Sequence, residues 1–318
     1  MQINLQNKFE TVQEILLQQI LLPKLRNNNE INRFNDIKNQ YYDICKKLTS
    51  WGERSHLTVN PGYEWNSWAE NIGRAFKHGV PISFLSNSLL AKTMVYHRRR
   101  GRKAALQRIA KVKDVFGEKV SMQILRENYI GVPMITDANW LTSASTAHHA
   151  FHLASYKETT GKLLWESESI IEWGAGYGNM ARILRKMNSH LTYTIIDLPE
   201  LLALQYVYLY STQGKDAVNI IQPGELVAHS KVNFLPSNVM LNNQLVFEPI
   251  GFISTWALTE SPYGAQKYIV DSNFFNAENV LLGYERNNNN KTRSHLNGLG
   301  LDEKPVPFLP EGNSYAFR

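Results

Sequence analysis

From about residue 165 onward, short apolar runs alternate with stretches of helical spacing, and the alternation continues to residue 285. Few folds accept this rhythm. Strands joined through helices pair in parallel, because a right-handed crossover is the connection that returns a twisted strand to its own sheet. The apolar runs are SIIEW (169–173), TYTIID (192–197), KVNFLP (231–236), IGFISTWAL (250–258) and NVLLGYE (279–285). Helical spacing is predicted over about 177–188, through LPELLALQYVYLYS, and over about 262–275. In such a sheet a ligand lies beyond the carboxyl ends of the strands, near the point where strand order reverses. The loops after the first four strands are therefore predicted to line one cleft.

The first of these loops, IIEWGAGYGNMARIL (170–184), carries three glycines between a strand and a helix. The next strand ends in Asp197, where a carboxylate can accept hydrogen bonds from ribose hydroxyls. Three nucleotide ligands compete for such a loop. A phosphate-cradling loop needs Lys-Ser/Thr after its last glycine, whereas Gly178 is followed by Asn179 and Met180. A dinucleotide fingerprint is Gly-x-Gly-x-x-Gly. Gly174, Gly176 and Gly178 are spaced one residue tighter, and Glu172 stands two residues before them. A carboxylate there repels a pyrophosphate but balances an ammonium. S-adenosylmethionine has an ammonium, a sulfonium and no phosphate, and it is the ligand these residues select.

IIEWGAGYGNMARIL, YTIIDLPELLALQYVYL and GFISTWALTESP together resemble the class I S-adenosylmethionine-dependent methyltransferases. More narrowly they are similar to sugar O-methyltransferases found in bacterial surface-polysaccharide gene sets. The resemblance covers roughly residues 135–286. It implies an α/β, Rossmann-like fold with a mostly parallel, doubly wound sheet. The division it suggests is a mainly helical region over 1–135, for acceptor specificity, a lid or dimerisation, and a catalytic domain over 136–318. It also implies residue roles. Glu172, Gly174, Ala175, Gly176, Tyr177 and Gly178 flank the methionine part and the adenosyl sugar. Asp197 binds ribose, Leu198 lies against adenine, and Ser237 with Asn238 meets the adenine edge. Thr255 and Trp256 face the methyl group. The class normally ends with a sixth strand and an antiparallel seventh. NSYAFR can supply a last strand, but a sixth strand and its helix are hard to place in the 32 residues after Arg286.

Methyl transfer to a sugar hydroxyl calls for a general base, most often His, Asp or Glu. STAHHAFHLASY carries His148, His149 and His152; a spacing of four puts His148 and His152 on one helix face, where they suit a base with its partner or a metal. The alternative is histidines that only cap or bond locally. Glu260, shortly after the fourth strand, is a second candidate, against a helix N-terminal acid favoured by the macrodipole. His295 in the tail is a third. No compact acidic cluster supports a metal, which is left unassigned. Trp173, Tyr177 and Trp256 either stack on a sugar face or pack.

The first 135 residues read as helical with breaks at Pro23, Pro61-Gly62, GVPIS and GVPMI. The net charge of +6 is concentrated in Tyr96–Asp114, with eight Lys or Arg and one acid. That run is either a site for an anionic partner (nucleic acid, acidic glycan or lipid headgroup) or a solvated helix face; no RNA-binding signature accompanies it. No apolar run is long enough to span a bilayer, no secretory leader is visible, and the one cysteine, Cys45, reads as a buried small side chain in a reducing compartment. A cytoplasmic enzyme is expected, with S-adenosyl-L-homocysteine as product, a saccharide or glycan-linked acceptor, and possible homodimerisation. The competing readings are the same fold acting on RNA or another small molecule, and a non-catalytic, cofactor-binding assembly protein.

Overall fold

The computed structural model describes residues 16–51, 65–95, 98–243, 250–285, 296 and 299–318. Helices in chain order are α1 (Asn28–Ile37), α2 (Tyr41–Ser50), α3 (Trp65–Ala75), α4 (Ser88–Thr93), α5 (Arg98–Leu125), α6 (Ala144–Thr160), α7 (Asn179–Met187), α8 (Pro199–Gln213), α9 (Ser237–Asn243), α10 (Ala257–Glu260) and α11 (Tyr263–Asp271). Strands are β1 (Ile135–Asp137), β2 (Thr142–Ser143), β3 (Ser169–Trp173), β4 (Thr192–Asp197), β5 (Val218–Ile220), β6 (Val232–Pro236), β7 (Gly251–Thr255), β8 (Asn279–Glu285), β9 (Asp302–Pro305) and β10 (Asn313–Phe317).

β1 and β2 form a small hairpin, and the other eight strands make one sheet in the order β5-β6-β4-β3-β7-β8-β10-β9. Pairing is parallel from β5 to β8, while β10 runs antiparallel to both its neighbours. This is a Rossmann-like α/β fold with a mostly parallel, doubly wound sheet. Strand order reverses at β3, which has β4 on one side and β7 on the other. The far edge of the sheet answers what the sequence left open: DEKP supplies the strand that was hard to place, and NSYAF supplies the antiparallel one, as NSYAFR was expected to. β9 was illegible because all four of its residues are exposed, so it has neither an apolar run nor an alternation. β5, at the other edge, was missed for its three-residue length.

Both faces of the sheet are covered, which is why its strands read as apolar runs rather than alternations. Ile170, Tyr193, Ile195, Phe234 and Ile253 belong to one buried cluster, with α6, α7 and α8. Their neighbours Ile171, Ile196, Leu235 and Phe252 belong to the other, with α9, α10 and α11. Successive strand residues point to opposite faces, so each strand feeds both cores. The first cluster also takes in Phe34 and Ile37 of α1, and Tyr41, Cys45 and Leu48 of α2. Asn27 caps α1 by accepting from the backbone of Asn29 at 3.0 Å. Tyr41 donates to the carbonyl of Glu200 (3.1 Å), and Arg33 to that of Ser211 (2.9 Å), which ties α2 and α1 onto α8.

From Arg98 onward the basic run folds as α5, with a break at Gly117 (φ 73°, ψ 170°); Tyr96 and His97 lie outside the described residues. Ala105, Arg108, Ile109 and Val112 are buried, a three-and-four spacing that marks its inner face. Arg108 is 1% exposed, so the reading of the run as a solvated face fails at this residue.

Candidate functional site

The four loops predicted to line one cleft do so. A cavity of about 660 Å³ opens at the carboxyl ends of β3, β4, β6 and β7, within the size range of small-molecule sites. Its walls include Glu172 through Tyr177, Asp197 and Leu198, Ser237, Thr255 and Trp256, all three clustered histidines, and Glu260. Two predicted residues are not on the wall. Gly178 instead caps α7 at φ 91°, where a side chain would press on Leu209. Asn238 is buried one residue behind Ser237. His295 lies outside the described residues.

The glycine loop is shaped by two different constraints. Gly174 (φ 73°) sits so close to α10 that a Cβ would fall 2.2 Å from that of Ala257. At Gly176 (φ 58°) a Cβ would make only ordinary contact with Met94, 3.9 Å away, so the residue needs chiefly the left-handed backbone. Asp197 closes β4 against this loop. Its Oδ2 accepts from the backbone of Ala175 (3.1 Å) and from Gln205 Nε2 (2.7 Å), and its Oδ1 accepts from the backbone of Leu198 (2.8 Å). Gln205 also donates to the carbonyl of Gly176 at 2.8 Å. Burial raises the Asp197 carboxyl to about 6 despite these bonds. Glu172 is 2% exposed. Burial lifts its carboxyl to about 8, the Tyr193 hydroxyl at 2.9 Å opposes the shift, and the charge of Asp197 adds to it. Two buried carboxyls thus face one cavity with no ion-pair partner among the described residues.

The opposite wall is built from α6. The rings of His148 and His152 lie 4.1 Å apart, as their spacing of four predicts. Both are pushed well below the usual histidine range, first by burial. His149 is lowered to about 4 by burial and by the nearby Arg182. Trp256, stacked 5.9 Å from His148, adopts an unusual φ of 65° and donates through Nε1 to Asn313 (2.7 Å). Its ring fills the space a side chain at Gly283 would take. His152 Nδ1 lies 2.5 Å from the Tyr315 hydroxyl on β10. Glu260 Oε2 accepts from Trp65 Nε1 (2.9 Å), and burial raises its carboxyl. It closes the single turn of α10, where it is also a first-turn acid, and α11 begins at Tyr263. Among the described residues no group of three or more His, Cys, Asp and Glu is arranged to hold a metal.

Several wall residues were missed. Trp65, Met94, Arg108 and Asn313 come from distant segments that only the tertiary fold assembles. Arg108 alone left a signal, the buried spacing of α5. Of the predicted aromatics, Trp173 and Tyr177 are nearly enclosed while still touching the cavity; Trp173 donates to Ser261 Oγ (2.8 Å) and Tyr177 packs edge-on to Tyr208.

No family model matches the chain, and no curated protein does. Similar solved structures include an O-methyltransferase family 2 protein from Planctomyces limnophilus in complex with apigenin, at 12% identity over 83% of this chain and 98% of that one (TM-score 0.33). The CurJ carbon methyltransferase is similar at 10% identity over 96% and 97% (TM-score 0.36). PigF with SAH is similar at 13% identity (TM-score 0.29); it covers 61% of this chain, which spans about half, 53%, of PigF's length. Likeness at this level transfers no residue role, and the chain's place among Rossmann-like folds stands on its own strand order.

Proposed function

We propose that the protein is an S-adenosylmethionine-dependent O-methyltransferase acting on a hydroxyl of a saccharide or glycan-linked acceptor. The observation that carries the reading is the pair of buried carboxyls, Glu172 and Asp197, flanking a glycine loop at the switch point of the sheet. Both are raised by burial, so both gain when a cation or hydrogen-bond donor enters beside them. An ammonium answers Glu172, and ribose hydroxyls answer the remaining acceptor capacity of Asp197 Oδ1. A pyrophosphate would meet Glu172 with like charge. Ala175 and Gly176 leave the loop backbone open to a close ligand, and Leu198 and Ser237 suit the adenine. When bound, the cofactor supplies a methyl on a sulfonium, electrophilic enough to leave without acid assistance.

The chain's own task is to position an acceptor hydroxyl and take its proton. Glu260 is assigned as the base. Its pKa is displaced upward, towards the operating range, while those of the three histidines are displaced downward. Trp65 occupies Oε2 and orients the carboxylate, leaving Oε1 for the substrate. Residues 1–135 shape the acceptor side through Trp65, Met94 and Arg108. The test is calorimetry with S-adenosylhomocysteine, followed by methyl transfer from labelled S-adenosylmethionine to glycan pools. Binding of NADH in place of the thioether nucleoside would defeat the reading.

A further inference from the structure

His149 is the least buried of the three clustered histidines, and among the described residues it makes one hydrogen bond. Its Nδ1 lies 2.7 Å from Asn179 Nδ2, at the first turn of α7. The chemistry behind that amide leaves little choice about protons. Arg182 has five N–H groups and no acceptor. Its Nε donates to Asn179 Oδ1 (2.8 Å), its Nη1 to the Arg126 carbonyl (3.2 Å) and to Asn128 Oδ1 (3.0 Å), and its Nη2 to Thr146 Oγ1 (3.1 Å). The same Nη2 is 3.5 Å from Glu127 Oε2. Thr146 spends its one proton on Glu127 Oε1 (2.6 Å), so its lone pairs receive Arg182 and, at 3.1 Å, Asn179 Nδ2.

The Asn179 amide is therefore pinned twice. Turned over, it would set its NH2 against the Arg182 N–H and its oxygen against a hydroxyl with no proton left to give. In the pinned orientation Nδ2 donates, so His149 Nδ1 accepts. A neutral imidazole that accepts at one nitrogen carries its proton on the other.

We infer that His149 serves as a hydrogen-bond donor from Nε2–H to an oxygen of the bound ligand, and that Asn179 is the positioning residue that fixes it in this tautomer. His149 is thereby removed from the candidates for general base. The recipient oxygen belongs either to the carboxylate of the methyl donor or to the acceptor saccharide. The donor role rests on the reading of the cavity as a methyltransferase site; the tautomer does not.

Two-bond ¹H–¹⁵N spectra of histidine-labelled, ligand-free protein test the tautomer. His149 is expected as the Nε2–H form, and Asn179→Asp, which can only accept, is expected to convert it to Nδ1–H. An Nδ1–H signal in the unaltered protein, or no change in the variant, overturns the inference. If Asn179→Asp does not fold, the wild-type spectrum still decides. The donor role is tested with His149→Gln, whose amide N–H stands near the position of Nε2, and His149→Phe, which has no donor. Gln is expected to hold kcat/KM within about threefold, with a loss of about tenfold or more for Phe. A Phe loss that appears in S-adenosylhomocysteine affinity assigns the oxygen to the donor's carboxylate; a loss confined to acceptor KM assigns it to the saccharide. Equal collapse of kcat in both variants overturns the donor role. If no S-adenosyl compound binds at all, the proposed function falls while the tautomer result stands.

Discussion

Gln205 Nε2 is shared between Asp197 Oδ2, at 2.7 Å, and the carbonyl of Gly176, at 2.8 Å. One amide on α8 thus sets the separation between the acid that ends β4 and the loop that follows β3. Gln205→Leu removes both bonds, and its loss lets the Asp197 pKa climb further, because Gln205 holds it down. S-adenosylhomocysteine affinity is expected to fall by about tenfold or more, on the scale of one charge-assisted bond. Asp197→Ala should cost at least as much. Calorimetry measures both.

Substitutions in the glycine loop should separate crowding from backbone strain. Gly174→Ala meets Ala257 at 2.2 Å and also keeps a positive φ, so a loss of about 3 kcal/mol is expected in urea unfolding. Gly176→Ala has its nearest neighbour, Met94, at 3.9 Å and incurs mainly the left-handed backbone cost, about 1 kcal/mol. Equal effects at the two positions would contradict the geometry.

Glu172 gives a pH dependence with a defined sign. Its folded pKa of about 8 lies above the ordinary glutamate value of 4.5, so the native state holds a proton that the unfolded chain releases. The stability this contributes is full below pH 4.5 and is lost as pH rises through 8. A ligand ammonium favours the ionised form, so affinity runs the other way and strengthens as pH rises from 6.5 towards 8. Glu172→Gln is expected to flatten both curves over that window and to weaken S-adenosylhomocysteine binding at pH 8. Thermal melts and calorimetry across pH check the two halves.

Glu260→Gln is expected to lower kcat by a hundredfold or more with little change in S-adenosylhomocysteine affinity, a general-base contribution being of that order. Trp65→Phe removes the donor that holds the Glu260 carboxyl down. The acid limb of the pH–rate profile should then move to higher pH. A downward or absent shift would separate Glu260 from the chemistry.

The legible parts of this chain are those where burial leaves a pattern. β3, β4, β6, β7 and β8 read as apolar runs because each is covered on both faces, and their ends carry Glu172, Asp197 and Thr255 to one place. The histidines of α6 came from helical spacing alone. β9 lacks any pattern because it is an exposed edge. Trp65, Asn179 and Gln205 were silent for another reason: each bonds a partner far along the chain, Trp65 to Glu260 across 195 residues, Asn179 to His149 across 30 and Gln205 to Gly176 across 29. A polar side chain in a helix looks alike in sequence whether it faces water or fixes a proton.

The antiparallel insertion of β10 has a consequence for the order in which this protein assembles. His152 touches Tyr315 across 163 residues of chain, and Trp256 touches Asn313 across 57. Contacts of such separation form late, because loop closure must precede them. The hydrogen bonds that join Glu172, Tyr193, the glycine loop, Asp197 and Gln205 span 29 residues or fewer and can form earlier. A folding chain would therefore be able to hold a nucleoside before it has a wall against which any acceptor could react.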